Sequence, residues 1–149
     1  MTASVRLPVI LMAEDDADDR LLARDALNEC QIEHDLHCVE DGEELLDYLH
    51  RRGNYAEKSR SPRPSLILLD LNMPKKDGRE VLREIRGDPN LRRIPIVVFT
   101  TSSADADVEL VYEMGANSCI TKPASFDSLV EVMRLLGRYW FSVVDLPYK

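Results

Sequence analysis

The sequence predicts an α/β fold: one domain with a doubly wound, five-stranded parallel sheet and five helices, stacked as a three-layer sandwich. Two patterns predict it. Short, unbroken apolar runs recur along the 149 residues, as in strands that are buried on both faces. Between them lie segments with apolar residues at helical spacing. This alternation implies parallel strands joined by right-handed crossovers.

Each predicted element has ends that its residues explain. The strands are predicted at residues 9–13, 36–39, 66–69, 94–99 and 119–121. The first helix is predicted at 16–30, because acids in its first turn suit the helix dipole. The other four helices should begin after N-capping residues, which are Asp41, Asp77, Ser102 or Ser103, and Ser125. Three of them should end at glycines, which are Gly87, Gly115 and Gly137.

The predicted domain occupies residues 9–137, between an N-terminal tail (1–8) and an aromatic C-terminal extension (138–149), and we expect no output domain. The extension contains Tyr139-Trp140-Phe141 and is too apolar to remain in water. It should therefore either fold back onto the last helix or pack on a second subunit. In the second case the chain would form a homodimer through the last helix and the extension. The connection 53–65 is polar and unusually long, which indicates either a tolerated surface insertion or a partner-contacting loop.

Charge and cysteine usage exclude several classes of function. The net charge is −8, and we see no basic excess or clustering, which argues against binding to nucleic acids or anionic membranes. No segment has a signal-peptide layout or the roughly 20 apolar residues of a spanning helix. Cys30, Cys38 and Cys119 are odd in number and lack a C-x-x-C spacing, which is typical of reduced thiols. We therefore expect a cytoplasmic protein.

Polar residues stand where four predicted strands end. They are Glu14-Asp15-Asp16, Asp70, Thr100 and Lys122. Because the carboxyl ends of parallel strands share one edge of the sheet, these side chains should converge there. A hard divalent cation relieves the repulsion between such carboxylates. We predict a Mg²⁺ site with direct ligation by Asp15, Asp70 and the backbone carbonyl of Asn72, and with Glu14 acting through water.

Asp70 is the predicted nucleophile of this site. The apolar run 66–69 ends in Asp70, and Pro74 prevents a regular element from continuing. A carboxylate can attack a phosphoryl group and form an acyl phosphate. Lys122 would supply a cation for one phosphoryl oxygen, the Thr100 hydroxyl would donate to another, and Mg²⁺ would cover the third. The pattern thus predicts a protein that accepts a phosphoryl group.

The chain resembles the receiver domains of two-component response regulators over about residues 9–137. The matching motifs are Glu14-Asp15, Asp70-Leu71-Asn72-Met73-Pro74 through Asp77-Gly78, Thr100, and Lys122-Pro123. The resemblance implies a flavodoxin-like fold with strand order 2-1-3-4-5. It implies that the phosphoryl group comes from the phosphohistidine of a histidine kinase, and that the chain signals without being an enzyme. It also implies a cis peptide bond before Pro123.

More narrowly, the chain resembles the small response regulators paired with cyanobacterial phytochromes. The shared features are S-P-R-P-S-L-I-L-L-D-L-N-M-P-K-K-D-G-R-E-V-L, I-P-I-V-V-F-T-T-S and the aromatic extension. The implied partners are a phytochrome-type sensor histidine kinase and a downstream protein. Two positions depart from the family pattern. Glu14 replaces the first residue of a common Asp-Asp pair, and Cys119 replaces the Tyr or Phe that swings inward as a switch.

Other functions fit parts of the pattern. A Mg²⁺-dependent phosphohydrolase with an aspartyl nucleophile commonly carries a second acid two residues later, where this chain has Asn72. A nucleotide-binding domain needs a glycine-rich loop after the first strand, where this chain reads E-D-D-A-D-D. A receiver-like docking module that is never phosphorylated remains a further alternative, although here every site position is filled.

Overall fold

A computed structural model shows five strands alternating with five helices, and describes residues 7–101 and 105–147. The strands are Val9–Ala13 (β1), Asp35–Val39 (β2), Leu66–Leu69 (β3), Ile96–Thr100 (β4) and Ser118–Thr121 (β5). The helices are Ala17–Glu29 (α1), Gly42–His50 (α2), Gly78–Gly87 (α3), Asp105–Glu113 (α4) and Phe126–Arg138 (α5). Residues 1–6 of the predicted tail and the predicted caps Ser102 and Ser103 lie outside the described residues.

The five strands form one parallel sheet in the order β2-β1-β3-β4-β5, which confirms the predicted fold and strand order. β3 lies between β1 and β4. Its last residue, Leu69, pairs with Ala13 of β1 and with Val98 of β4. This register places the carboxyl ends of β1 and β3 side by side.

The core has two layers because alternate strand residues point to opposite faces of the sheet. One layer packs against α2 and α3 and includes Leu11, Ile67 and Val98, all completely buried. The other packs against α1 and α5 and includes Ile10, Leu68 and Val97. The three inner strands are therefore apolar except for Thr100, the last residue of β4, and polar groups gather at the strand ends.

The predicted caps Asp41, Asp77 and Ser125 are confirmed, since each side chain accepts a backbone N–H of the first helical turn. The prediction that Gly137 ends the last helix is wrong. α5 continues to Arg138 and into a π-helical turn, Tyr139–Val143. Gly137 instead lets α5 pack closely on the chain after α1, because a Cβ there would overlap the Ile32 side chain.

The aromatic extension packs in part on its own chain. Trp140 and Phe141 are half-buried against the core layer formed by α1 and α5. Tyr139 and Val143 remain 51% and 68% exposed. The extension thus folds back as one of the two predicted arrangements, with exposed apolar surface beside it. No helix in the described part of the chain is long and apolar enough to span a membrane.

Candidate functional site

The strand register brings three predicted acids together at the carboxyl edge of the sheet. Glu14 and Asp15 follow β1 directly, and Asp70 follows β3. The Asp70 backbone N–H donates to the carbonyl of Ala13 at 3.1 Å, which fixes the two strand ends against each other. One carboxylate oxygen from each acid lies within 4.8 Å of the others. The predicted convergence of these acids is therefore present.

The acids of this cluster differ in exposure. Glu14 is 3% exposed and Asp70 is 7% exposed, whereas Asp15 is open to solvent. Burial raises the pKa of Glu14 to about 7, and the nearby charge of Asp70 adds to the shift, although Lys122 opposes it. The site is thus short of positive charge.

Lys122 is the cation of the cluster and follows β5. Its Nζ donates to Glu14 and lies 3.1 Å from Oδ2 of Asp19 and 3.5 Å from Oδ2 of Asp70. Burial alone would lower the pKa of Lys122, but its hydrogen bond to Glu14 and the charge of Asp70 outweigh burial and raise it. The amine therefore stays protonated. Sequence reasoning missed Asp19 as a partner, since only the packing of α1 on this edge brings it to the lysine.

Thr100 and Lys122 are linked through the main chain. Thr100 is the last residue of β4 and is 1% exposed, and its carbonyl accepts the Lys122 backbone N–H at 2.7 Å. A displacement of either residue would therefore tend to move the other through this hydrogen bond. The predicted role of the Thr100 hydroxyl on a phosphoryl oxygen stays a prediction.

The loop after β3 turns tightly around Asp70. The Asn72 backbone N–H donates to Oδ1 of Asp70 at 3.3 Å. The Gly78 N–H donates to the Leu71 carbonyl at 2.9 Å, and a Cβ at Gly78 would overlap the Asp70 carbonyl. Glycine is thus required for α3 to start so close to Asp70. The metal contact predicted for the Asn72 carbonyl stays a prediction.

Two further predictions concern β5 and its continuation. The predicted cis bond before Pro123 is wrong, since the described residues contain no cis peptide bond, and Lys122 reaches the acids with a trans bond. Cys119 is half-buried against the α2–α3 core layer, and its backbone N–H donates to the Tyr112 hydroxyl at 3.3 Å. That hydroxyl joins α4 to β5.

The donor set fits a hard divalent cation. Three carboxylates converge, and one contacting lysine does not balance their formal charge. Oxygen ligands of this kind suit Mg²⁺, which binds through one or two carboxylates and keeps several waters. The exposed Asp15 leaves one side of the cluster open to such an ion and its waters.

Comparison with known proteins identifies the family. Residues 10–134 match the response regulator receiver domain. The chain belongs to this family. It is 43% identical over 139 residues to the response regulator Rcp1 of Synechocystis sp., covering 93% of this chain and 92% of that protein. The crystal structure of the Mn²⁺-bound form of Rcp1 covers 94% of this chain and 99% of its own, with a TM-score of 0.84.

Other solved receivers are similar over almost the whole chain. The phosphorylated cyanobacterial phytochrome response regulator RcpA is 42% identical, with a TM-score of 0.88 and coverage of 95% and 99% of the two chains. The response regulator RPA3017, in red light signalling of R. palustris, is 36% identical, with a TM-score of 0.91 and coverage of 96% and 100%. The predicted similarity to phytochrome response regulators is therefore confirmed.

Proposed function

We propose that this receiver takes a phosphoryl group from a histidine kinase onto Asp70 and then signals by contact with another protein. One observation carries the proposal: a nearly buried Asp70 lies beside Glu14, Asp15 and the protonated amine of Lys122. Such a site places the accepting carboxylate, a neutralising cation and oxygens that can bind a metal next to one another. The similarity to the phosphorylated form of RcpA supports the same assignment.

The side chains of this receiver account for the transfer. One Asp70 carboxylate oxygen attacks phosphorus, the phosphorus–nitrogen bond of phosphohistidine breaks, and its electron pair returns to the imidazole ring. The loop that begins with Asn72 holds Asp70 through its N–H, which limits rotation of the carboxylate. The Lys122 amine neutralises a phosphoryl oxygen that takes the place of a carboxylate beside it, and the Thr100 hydroxyl donates a hydrogen bond to another phosphoryl oxygen.

Asp15, Asp70 and the Asn72 carbonyl would hold Mg²⁺, with Glu14 acting through water. When bound, the ion supplies neutralisation of the phosphoryl oxygens. The manganese-bound form of Rcp1 and the converging acids of this chain support the assignment. Glu14 has one methylene more than aspartate and lies almost fully buried, so a contact through water suits it.

The proposed donor is a phytochrome-type sensor histidine kinase, and the proposed location is the cytoplasm. The likeness to RcpA and RPA3017 supports this choice of kinase. The proposal includes no enzymatic turnover, since the acyl phosphate on Asp70 is itself the signal. The exposed apolar residues of α5 and the extension, Leu135, Tyr139 and Val143, would contact a second copy or the downstream protein.

Intact-mass measurement after incubation with acetyl phosphate and Mg²⁺ tests the proposal. The wild type should gain about 80 Da, the mass of one phosphoryl group. Asp70→Asn should gain nothing, and Asp25→Asn, a matched change at an exposed acid of α1, should label like the wild type. Labelling of Asp70→Asn would contradict the assignment. Sustained release of phosphate from a generic phosphate ester would favour the phosphohydrolase, and an unlabelled wild type the docking module.

A further inference from the structure

The long connection before β3 has a fixed shape. The Tyr48 hydroxyl donates to the Pro62 carbonyl at 2.7 Å, and the buried Ser61 hydroxyl donates to the Tyr55 carbonyl at 2.9 Å. Nε of Arg51 donates to the Ser61 carbonyl at 3.3 Å. These bonds join α2 to the middle and the end of the connection. A merely tolerated surface insertion would not need such internal bonds. The structure therefore favours an ordered loop that can contact a partner.

This segment is basic within an acidic chain. Residues 51–63 contain five basic residues, which are Arg51, Arg52, Lys58, Arg60 and Arg63. They contain one acid, Glu57, while the whole chain has a net charge of −8. The expectation that basic residues are not clustered is therefore wrong for this segment. Arg51 and Arg52 are adjacent, whereas the other cations are spaced along the sequence. The turns of the connection bring three of the five around one cleft.

The cleft has a volume of about 790 Å³ and lies at the amino edge of the sheet. Arg51, Lys58 and Arg63 line it beside Pro62. The first residues of β1 and β2 and the residue before β3 also line it, so it lies on the opposite edge from Asp70. A volume of this size is typical of ligand-binding clefts and far exceeds a single phosphate.

Two of the three cations that line the cleft, Arg51 and Arg63, are held in place. Arg51 bonds to the Ser61 carbonyl, and Nη1 of Arg63 donates to the Leu49 carbonyl at 3.1 Å. Cations that are already ordered lose less conformational entropy when a ligand binds. The cleft also contains one acid, Asp35, whose Oδ2 contacts Nε2 of His37 at 3.0 Å. The lining therefore keeps an excess of positive charge.

We propose that this basic cleft binds an acidic segment of a partner protein, in which carboxylates alternate with apolar side chains. Spaced cations with proline and aliphatic side chains between them suit such a segment better than a compact anion. Strands of four to five residues separate the cleft from Asp70 by roughly 15 Å, at about 3.3 Å per residue. No cation of the cleft contacts the Asp70 site at this distance, so phosphate on Asp70 should alter the binding little.

Fluorescence anisotropy of a labelled synthetic peptide of alternating glutamate and leucine, titrated with the full chain, tests the proposal. Lys58→Glu should weaken binding by about tenfold, because it replaces an attractive charge in the cleft with a repulsive one. Arg60→Glu makes the same net-charge change on the same loop outside the cleft lining, and should weaken binding by about twofold or less. A peptide with glutamine in place of glutamate should bind far more weakly.

Three results would overturn the proposal. They are equal losses in Lys58→Glu and Arg60→Glu, tighter binding of a single-stranded oligonucleotide than of the peptide, and self-association that Lys58→Glu abolishes. The last would make a second copy of the chain the occupant. Acetyl phosphate should label Lys58→Glu normally, because Lys58 lies at the edge opposite Asp70. The two measurements therefore distinguish a failure of peptide binding in the cleft from a failure of phosphoryl acceptance at Asp70.

Discussion

Replacing Lys122 with methionine tests the electrostatics of the site most directly. Methionine keeps an unbranched side chain of similar length and removes the charge. Lys122 is 14% exposed, and its Nζ contacts two acids that are themselves almost buried, Glu14 and Asp70. Losing one partner of a buried ion pair typically costs 3–5 kcal/mol, since the remaining charge is left uncompensated. Here Glu14 can take up a proton instead, so we expect a loss of about 2–3 kcal/mol at pH 8.

The loss should depend on pH in a defined direction. The pKa of Glu14 in the folded chain, about 7, lies above its ordinary value of 4.5. Such a group contributes stability below pH 4.5 that disappears as the pH rises through about 7. Lys122 offsets this loss in the wild type, because its charge favours the ionised form of Glu14. The difference in unfolding free energy between wild type and Lys122→Met should therefore be smaller at pH 5.5 than at pH 8.

Urea denaturation in chelator at the two pH values measures the difference. In a chain of this size, a loss of 2–3 kcal/mol corresponds to a melting temperature lower by about 5–10 °C. Adding Mg²⁺ at pH 8 should stabilise Lys122→Met more than the wild type, because a cation that binds only the folded acids shifts the folding equilibrium. Lys75→Met is a matched control on a 62% exposed lysine and should cost less than about 1 kcal/mol. Equal stabilities of Lys122→Met and wild type at pH 8, or a difference that does not change with pH, would refute this reasoning.

Two other substitutions test the hydrogen bonds that Arg86 makes from α3 and the exposed apolar surface of the extension. Arg86→Lys should lower the free energy of unfolding by about 2–3 kcal/mol in urea, because one lysine cannot replace bonds to three main-chain carbonyls and to Asn117 Oδ1. Arg83→Lys, exposed on the same helix, should change it by less than about 0.5 kcal/mol, and equal losses would contradict the role of those bonds. Tyr139→Asp should keep the chain monomeric in sedimentation velocity at concentrations where the wild type associates. A wild type that stays monomeric throughout would remove the proposed homodimer.

The sheet and the acidic edge could be predicted because local pattern determines both. The runs 9–13 and 66–69 are apolar without interruption, which at that length is typical of strands buried on both faces. Polar residues directly after such runs must lie at the carboxyl edge. The meeting of Glu14 with Asp70 therefore follows from parallel pairing, and the register of Ala13 with Leu69 bears it out.

Features that depend on contacts distant in sequence escaped prediction. Gly137 has the residue type of a helix end, yet it serves the packing of α5 on Ile32, a contact that only the folded chain shows. Asp19 has the position of a solvated first-turn acid, yet it reaches Lys122 across the site. The basic residues of 51–63 form a cleft only because Tyr48 and Ser61 hold the connection in one shape.

Charged groups gather at the two edges of the sheet for one physical reason. The inner strands contain no charged residue, so charged groups can gather only at their ends, and in a parallel sheet all the carboxyl ends lie at one edge. The acids at that edge then need a cation, which Lys122 supplies. The backbone N–H of Lys122 also donates to the Thr100 carbonyl. A phosphoryl group on Asp70 would compete with Glu14 and Asp19 for the same amine. Any shift of Lys122 toward it would pull on β4 and β5 together, so the response to phosphorylation should be strongest where α4 and α5 flank those strands.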